Sequence, residues 1–103
     1  MSRRSRDWNE KLSTDLRDPE FARQFVLALL DEGFSLHAAL AKAIRAYGIK
    51  EFAKRAKMPC SNVSRAINPE YNPSQKVLGR LLQPFGLRLA AMPSGKRRKG
   101  QVA

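Results

Sequence analysis

The stretch Gly48–Ile67, GIKEFAKRAKMPCSNVSRAI, decides how the rest of this chain is read. Ile49, Phe52, Ala53 and Ala56 recur at helical spacing on one side and Lys50, Lys54, Arg55 and Lys57 fall outside it, so the first half reads as a short amphipathic helix. Met58 fills a tight turn. Pro59 suits the first turn of a second helix, where its missing N–H has no partner to lose, and Val63, Ala66 and Ile67 give that helix a buried side. Cys60, Ser61, Asn62, Ser64 and Arg65 remain outward. Two short helices around a tight turn form a helix-turn-helix pattern. Where such a motif meets DNA, the second helix enters the major groove with its N-terminal residues against base edges. The small polar side chains and the single arginine are therefore the expected readers. A helical hairpin in any all-α domain gives the same loose pattern, so the motif needs support from the rest of the chain.

Charge supplies that support. Residues 1–36 hold 6 Lys and Arg against 7 Asp and Glu, and residues 37–103 hold 14 against 2. Nearly the whole net charge of +11 thus belongs to the part that contains the motif. Such asymmetry implies a polyanionic partner, and DNA, RNA or an acidic membrane surface satisfies it on charge alone.

A length of 103 residues suits one small domain with tails, whose modest core would gain from oligomerisation. One cysteine, Cys60, cannot form an internal disulfide, and with His37 the only histidine there is no set resembling the usual zinc site of about four ligands. No run reaches the roughly 18 apolar residues of a membrane span, and the Arg-rich start leads into DWNEKLSTDL instead of an apolar signal core. A cytoplasmic protein with neither metal nor cofactor is expected. One His, one Cys, no glycine-rich phosphate loop and no carboxylate pair beside either leave no basis for an enzyme and no candidate catalytic residue.

Upstream of the motif, Ser35 caps a helix in which Leu36, Ala39, Leu40, Ala43, Ile44 and Tyr47 repeat at three and four residues until Gly48 stops it. His37 lies off that stripe and reads as a surface histidine. Asp18-Pro19 opens an earlier helix with Phe21, Phe25, Val26, Leu29 and Leu30 as its apolar stripe, ended by Gly33. Its Asp18, Glu20, Asp31 and Glu32 form the one acidic surface, a solvated face or a seat for a basic protein. Met1–Ser13, with Arg3, Arg4, Arg6 and Trp8, lacks sustained periodicity and reads as a basic arm, either solvated or held against the DNA backbone or minor groove.

Downstream, the two Asn-Pro pairs of NPEYNPS force a loop. Ser74 caps a last helix with Val77, Leu78, Leu81, Leu82 and Phe85 inward and Lys76 and Arg80 outward, and Pro84 is expected to distort its final turn. The helix start at Ser74 and Lys76 is a candidate phosphate clamp. LRLAAM, residues 87–92, reads as a short strand or an extended end. A strand there needs a partner, which a second copy could supply. Residues 93–103, PSGKRRKGQVA, read as a disordered basic tail with non-specific attraction to a nucleic-acid backbone.

The run from Ala39 through Gly48 to Ala56, the segment SRAINPEYNP and the closing FGLRLA together resemble the addiction-module antidote proteins, small HigA-like antitoxins with an Xre-type helix-turn-helix. The likeness covers Asp15 to about Ala90. It implies an all-α, five-helix fold of the Xre or lambda-repressor kind, usually dimeric, encoded beside a small basic RelE/ParE-like toxin and repressing its own operon. The chain departs from the family at Lys57, where Gly is usual in the turn, and at Pro59, where Ser usually caps the reading helix. A left-handed Lys57 would cost roughly 1 kcal/mol relative to Gly.

The expectation is thus residues 1–14 as an arm, 15–92 as a helix-turn-helix domain and 93–103 as a tail. The domain would bind double-stranded DNA as a homodimer through Lys50, Lys54, Lys57, Pro59, Cys60, Ser61, Asn62, Ser64, Arg65, Ser74 and Lys76. A stand-alone repressor without a toxin and a non-specific nucleic-acid binder are the competing readings.

Overall fold

The computed structural model describes residues 10–91 and residue 93, and those residues are all-α. Helix α1 covers residues 10–15, followed by α2 (Pro19–Asp31), α3 (Leu36–Tyr47), α4 (Ile49–Ala56), α5 (Cys60–Ala66) and α6 (Gln75–Leu82), with a 3₁₀ turn at Gln83–Phe85. Arg3, Arg4, Arg6 and Trp8 of the arm, Met92 and the KRRK tail lie outside the described residues.

Among the described residues there are six helices where five were expected. The additional one, α1, crosses the expected boundary between arm and domain. Among the described residues, Leu12 within α1 and Leu16 just past its end are the apolar positions of this segment, too short a pattern to register as periodicity, yet Leu16 is 1% exposed in the core. The Ser13 hydroxyl donates to the carbonyl of Tyr47 at 3.1 Å, and Lys11 pairs with Asp15 one turn on at 3.4 Å. Residues 10–16 thus belong to the folded domain.

Helix starts follow the caps. The side chains of Asp18, Ser35 and Ser74 accept from the N–H groups of Glu20, Ala38 and Val77, satisfying donors that a helix leaves unpaired in its first turn. Gly48 ends α3 and begins α4. Its N–H donates to Ile44, its carbonyl accepts from Phe52, and it does both at φ 109°, which only glycine adopts without strain.

The core is built on α3, whose Ala39, Leu40, Ala43 and Ile44 are fully buried. Val26 from α2, Val63 from α5 and Leu81 from α6 reach the same interior. Phe52 from α4 lies edge-on to Tyr47 at 5.7 Å and stacks on Phe85 at 5.4 Å, so one ring joins α3, α4 and the 3₁₀ turn. The buried stripe of α2 is narrower than its apolar spacing predicts. Ala22 and Val26 are its buried seam, Phe25, Leu29 and Leu30 are half-buried, and Phe21 stays 37% exposed. That helix packs one side on α3 and the 3₁₀ turn and leaves the other to solvent.

Pro84 sits within the 3₁₀ turn that replaces the end of α6, as a missing backbone donor requires. Residues 87–90 then follow in neither helix nor strand. Leu87 and Leu89 are half-buried against the core while Arg88 and Ala90 are exposed, a strand-like alternation without a partner strand. The leucines offered by the sequence as a contact between copies are therefore partly used within the chain.

Lys57, with φ 58° and ψ 46°, is left-handed and is the one described residue other than glycine with positive φ. Its conformation turns the chain out of α4 so that the Met58 N–H closes back on the Ala53 carbonyl at 3.0 Å. Lys57→Gly is expected to raise stability by about 1 kcal/mol, because the β-carbon conflict disappears. Urea unfolding checks this: the midpoint should rise with an unchanged slope, and a fall would mean that the lysine stem contributes more than the strain removes.

Candidate nucleic-acid interface

α4 and α5 meet through Phe52 and Ala53 on one side and Val63, Ala66 and Ile67 on the other, all buried. Their outer surfaces follow from that packing. Lys50, Lys54 and Lys57 recur at four and three residues along α4 and its cap, which places them on one exposed face. Arg55 faces elsewhere: its guanidinium donates to the Tyr47 hydroxyl at 3.4 Å and the Arg17 carbonyl at 3.5 Å, while Arg17 lies over the Tyr47 ring.

α5 begins at Cys60, one residue later than a proline in the first helical turn would allow. Pro59 is the cap itself, extended at φ −60° and ψ 142°, and its carbonyl accepts from Asn62 and Val63. A fixed φ suits that position, and the absence of a side-chain hydroxyl leaves the first turn without a side-chain cap. Pro59, Cys60, Ser61, Asn62, Ser64 and Arg65 are all exposed. Ser61 and Arg65, four apart, share one side, so the helix presents short polar groups and one long guanidinium.

Asn62 and Arg65 line a small open groove with Met58, Tyr71, Val77 and Arg80. The groove joins α5 to the following loop and to α6. Tyr71, 37% exposed, and Arg80 are the members that sequence reasoning left out of the site. Arg80 falls four residues after Lys76 on the outward side of α6, a spacing that was legible; an aromatic in a polar, proline-rich loop was the only signal for Tyr71. Ser74 and Lys76 are exposed at the start of α6 but do not line this groove. The Ser74 oxygen accepts from the Val77 N–H, which leaves its O–H free to donate, so this helix start offers an anion the Ser74 hydroxyl and the Lys76 charge.

The surface is electrically uncompensated. Between residues 50 and 80 there are seven Lys and Arg against Glu51 and Glu70. The ion pairs among the described residues, Lys11–Asp15 and Arg23–Glu20, lie on α1 and α2. No group of His, Cys, Asp or Glu among the described residues has the arrangement of a metal site, and Cys60 is an exposed free thiol. No helix among the described residues is long and apolar enough to cross a membrane.

His37 differs from its sequence reading as a surface group. It is half-buried, and Nε2 lies 2.6 Å from the carbonyl oxygen of Ala66 at the end of α5. A carbonyl only accepts, so Nε2 carries the proton. The exposed residues of α2 and its C-cap include Phe21, Leu27 at 38% exposure, Glu20, Asp31 and Glu32. Comparison with family models, curated proteins and solved structures returns no match, so the meaning of these surfaces rests on their own geometry and charge.

Proposed function

We propose that this chain is a sequence-specific DNA-binding antitoxin, in which α4 and α5 form an Xre-type helix-turn-helix that represses its own operon. The observation that carries the reading is the outer face of α5: behind the Pro59 cap, exposed Cys60, Ser61, Asn62 and Ser64 are small and Arg65 is long and charged, flanked by exposed lysines on α4 and its cap that no described carboxylate neutralises. Lysines at an edge position a protein on phosphates, and a groove-filling helix with short polar groups and an arginine reads base edges. Lys50, Lys54, Lys57 and Lys76 take the first role, and Ser61, Asn62, Ser64 and Arg65 the second.

The antitoxin half of the proposal is supported by the resemblance described above and by α2. In a chain of net charge +11, a basic protein is repelled everywhere except at an acidic surface. Glu20, Asp31 and Glu32 beside exposed Phe21 and Leu27 offer apolar contact with a negative rim, which suits a small basic toxin of the RelE/ParE kind. A cytoplasmic location follows from that role.

One reading helix covers too few base pairs to select a single genomic site, and two copies about a two-fold axis would occupy successive major grooves about 34 Å apart. We therefore expect a homodimer that uses the LRLAAM segment, residues 87–92, and the helix from Ser74 to Phe85. Footprinting on the DNA upstream of the protein's own gene should protect a palindrome bound ~10³-fold or more tightly than random duplex, and sedimentation at the same concentration should give a dimer. Equal affinity for both duplexes would identify a non-specific nucleic-acid binder. A protected palindrome with no toxin neutralised by co-expression of the adjacent gene would leave a stand-alone repressor.

A further inference from the structure

The last turn of any helix leaves carbonyls without backbone partners, and α5 is short enough for their fate to matter. The helix spans seven residues and has no side-chain cap at its start. At its end the chain turns away: the Glu70 N–H, four residues beyond Ala66, goes to the Asn68 side chain at 2.8 Å. The Ala66 carbonyl is taken instead by His37 Nε2, from the first turn of α3, at 2.6 Å. Arg45, two turns further along α3, reaches the next carbonyl, that of Ile67, with a longer contact of 3.5 Å. His37, Ala41 and Arg45 recur every four residues and line one open groove with Ile67 and Pro69, so the two donors act from one side of α3 on one end of α5.

We propose that His37, assisted by Arg45, is a positioning residue that clamps the C-terminal end of α5 to α3 and so sets how sharply the outer face of α5 discriminates between DNA sequences, without touching DNA. This rests on the DNA reading of α5. Arg65 is the residue immediately before the clamped carbonyl of Ala66, so a loosened end displaces the longest reading side chain first. A bidentate base contact tolerates little displacement, whereas a lysine on a phosphate is a flexible point charge and tolerates much. Loss of the clamp therefore lowers specificity more than general affinity.

Two readouts on the full chain test this. Amide exchange of Val63, Arg65 and Ile67 should accelerate on the order of tenfold in His37→Ala, with Ala43 and Ile44 of α3 unchanged, and return toward wild type in His37→Gln, whose amide reaches the position of Nε2. The ratio of operator to random-duplex affinity should fall by a similar factor in His37→Ala, with an unchanged salt slope, and recover in His37→Gln. Exchange that is unaltered in α5, or faster in α3 and α5 alike, overturns the clamp. A salt slope lowered by up to ~0.9 overturns it too, because His37 would then be a phosphate contact. If the wild-type chain prefers no duplex, the DNA reading fails, and the exchange experiment alone decides whether the clamp exists.

Discussion

Phe52→Ala is expected to remove a large share of the stability of this domain. Phe52 is the only large side chain that α4 buries completely, and its ring contacts Tyr47 edge-on and Phe85 face to face. Truncating a buried phenylalanine costs about 3–5 kcal/mol, against a total of about 5–15 kcal/mol for a domain of ordinary stability. The loss is concentrated where α3, α4 and the 3₁₀ turn meet, so α4 would lose its main attachment and α5 its platform. Thermal unfolding followed by circular dichroism should show a midpoint lowered by about 12 °C or more, since each kcal/mol shifts a domain of this size by about 4–8 °C. Phe52→Leu, which keeps most of the volume, should cost under about 1.5 kcal/mol. A drop of only a few degrees for the alanine variant would mean that α4 is held chiefly by its ends.

The contrast between α3 and α1 shows what in this fold was legible beforehand. In α3, Leu36, Ala39, Leu40, Ala43, Ile44 and Tyr47 repeat over three turns between a serine cap and a glycine stop, and all but the half-buried Leu36 are buried as their spacing predicts. In and just after α1, two leucines four apart precede the acidic start of α2, and only tertiary contact, seen in the burial of Leu16 and the bond from Ser13 to Tyr47, reveals that the segment is held. Phe21 failed for the opposite reason. Hydrophobicity placed it in the stripe, but the stripe of α2 is wider than the surface α3 offers, and the residue at its margin stays outside.

The candidate interface divides in the same way. Exposure of Lys50, Lys54, Lys57, Ser61 and Arg65 followed from helical spacing alone, because each lies opposite a residue that the core needs. Bonds between elements did not follow. Nothing local marks His37 as a partner of Ala66, twenty-nine residues away, or brings Tyr71 and Arg80 to the groove beside Arg65. Periodicity determines which way a residue points, whereas its partner depends on how the loops return the chain. The NPEYNPS loop was readable as a loop and not as the device that sets Tyr71 against α5.

For the proposed DNA reader, the largest functional effect is expected from Arg65→Ala. Arg65 is exposed in the last turn of α5, on the side shared with Ser61, and has no carboxylate partner among the described residues. Its guanidinium is the only group on that face able to fork onto two acceptors of one guanine, an interaction worth about 1–3 kcal/mol of discrimination. Operator affinity should therefore fall roughly 5- to 150-fold relative to random duplex, with preference relaxed at one base pair in each half-site. Arg65→Lys separates the fork from the charge. A lysine restores attraction to phosphate but not bidentate geometry, so binding to random duplex should return while the preference stays lost. Lys54→Ala supplies the converse, an equal loss on both duplexes with the log–log salt slope reduced by up to ~0.9. Titration of both duplexes at several salt concentrations distinguishes these outcomes. Should Arg65→Ala behave as Lys54→Ala is expected to, Arg65 contacts the backbone, and the reading of bases would fall to Ser61, Asn62 and Ser64 on the same exposed face.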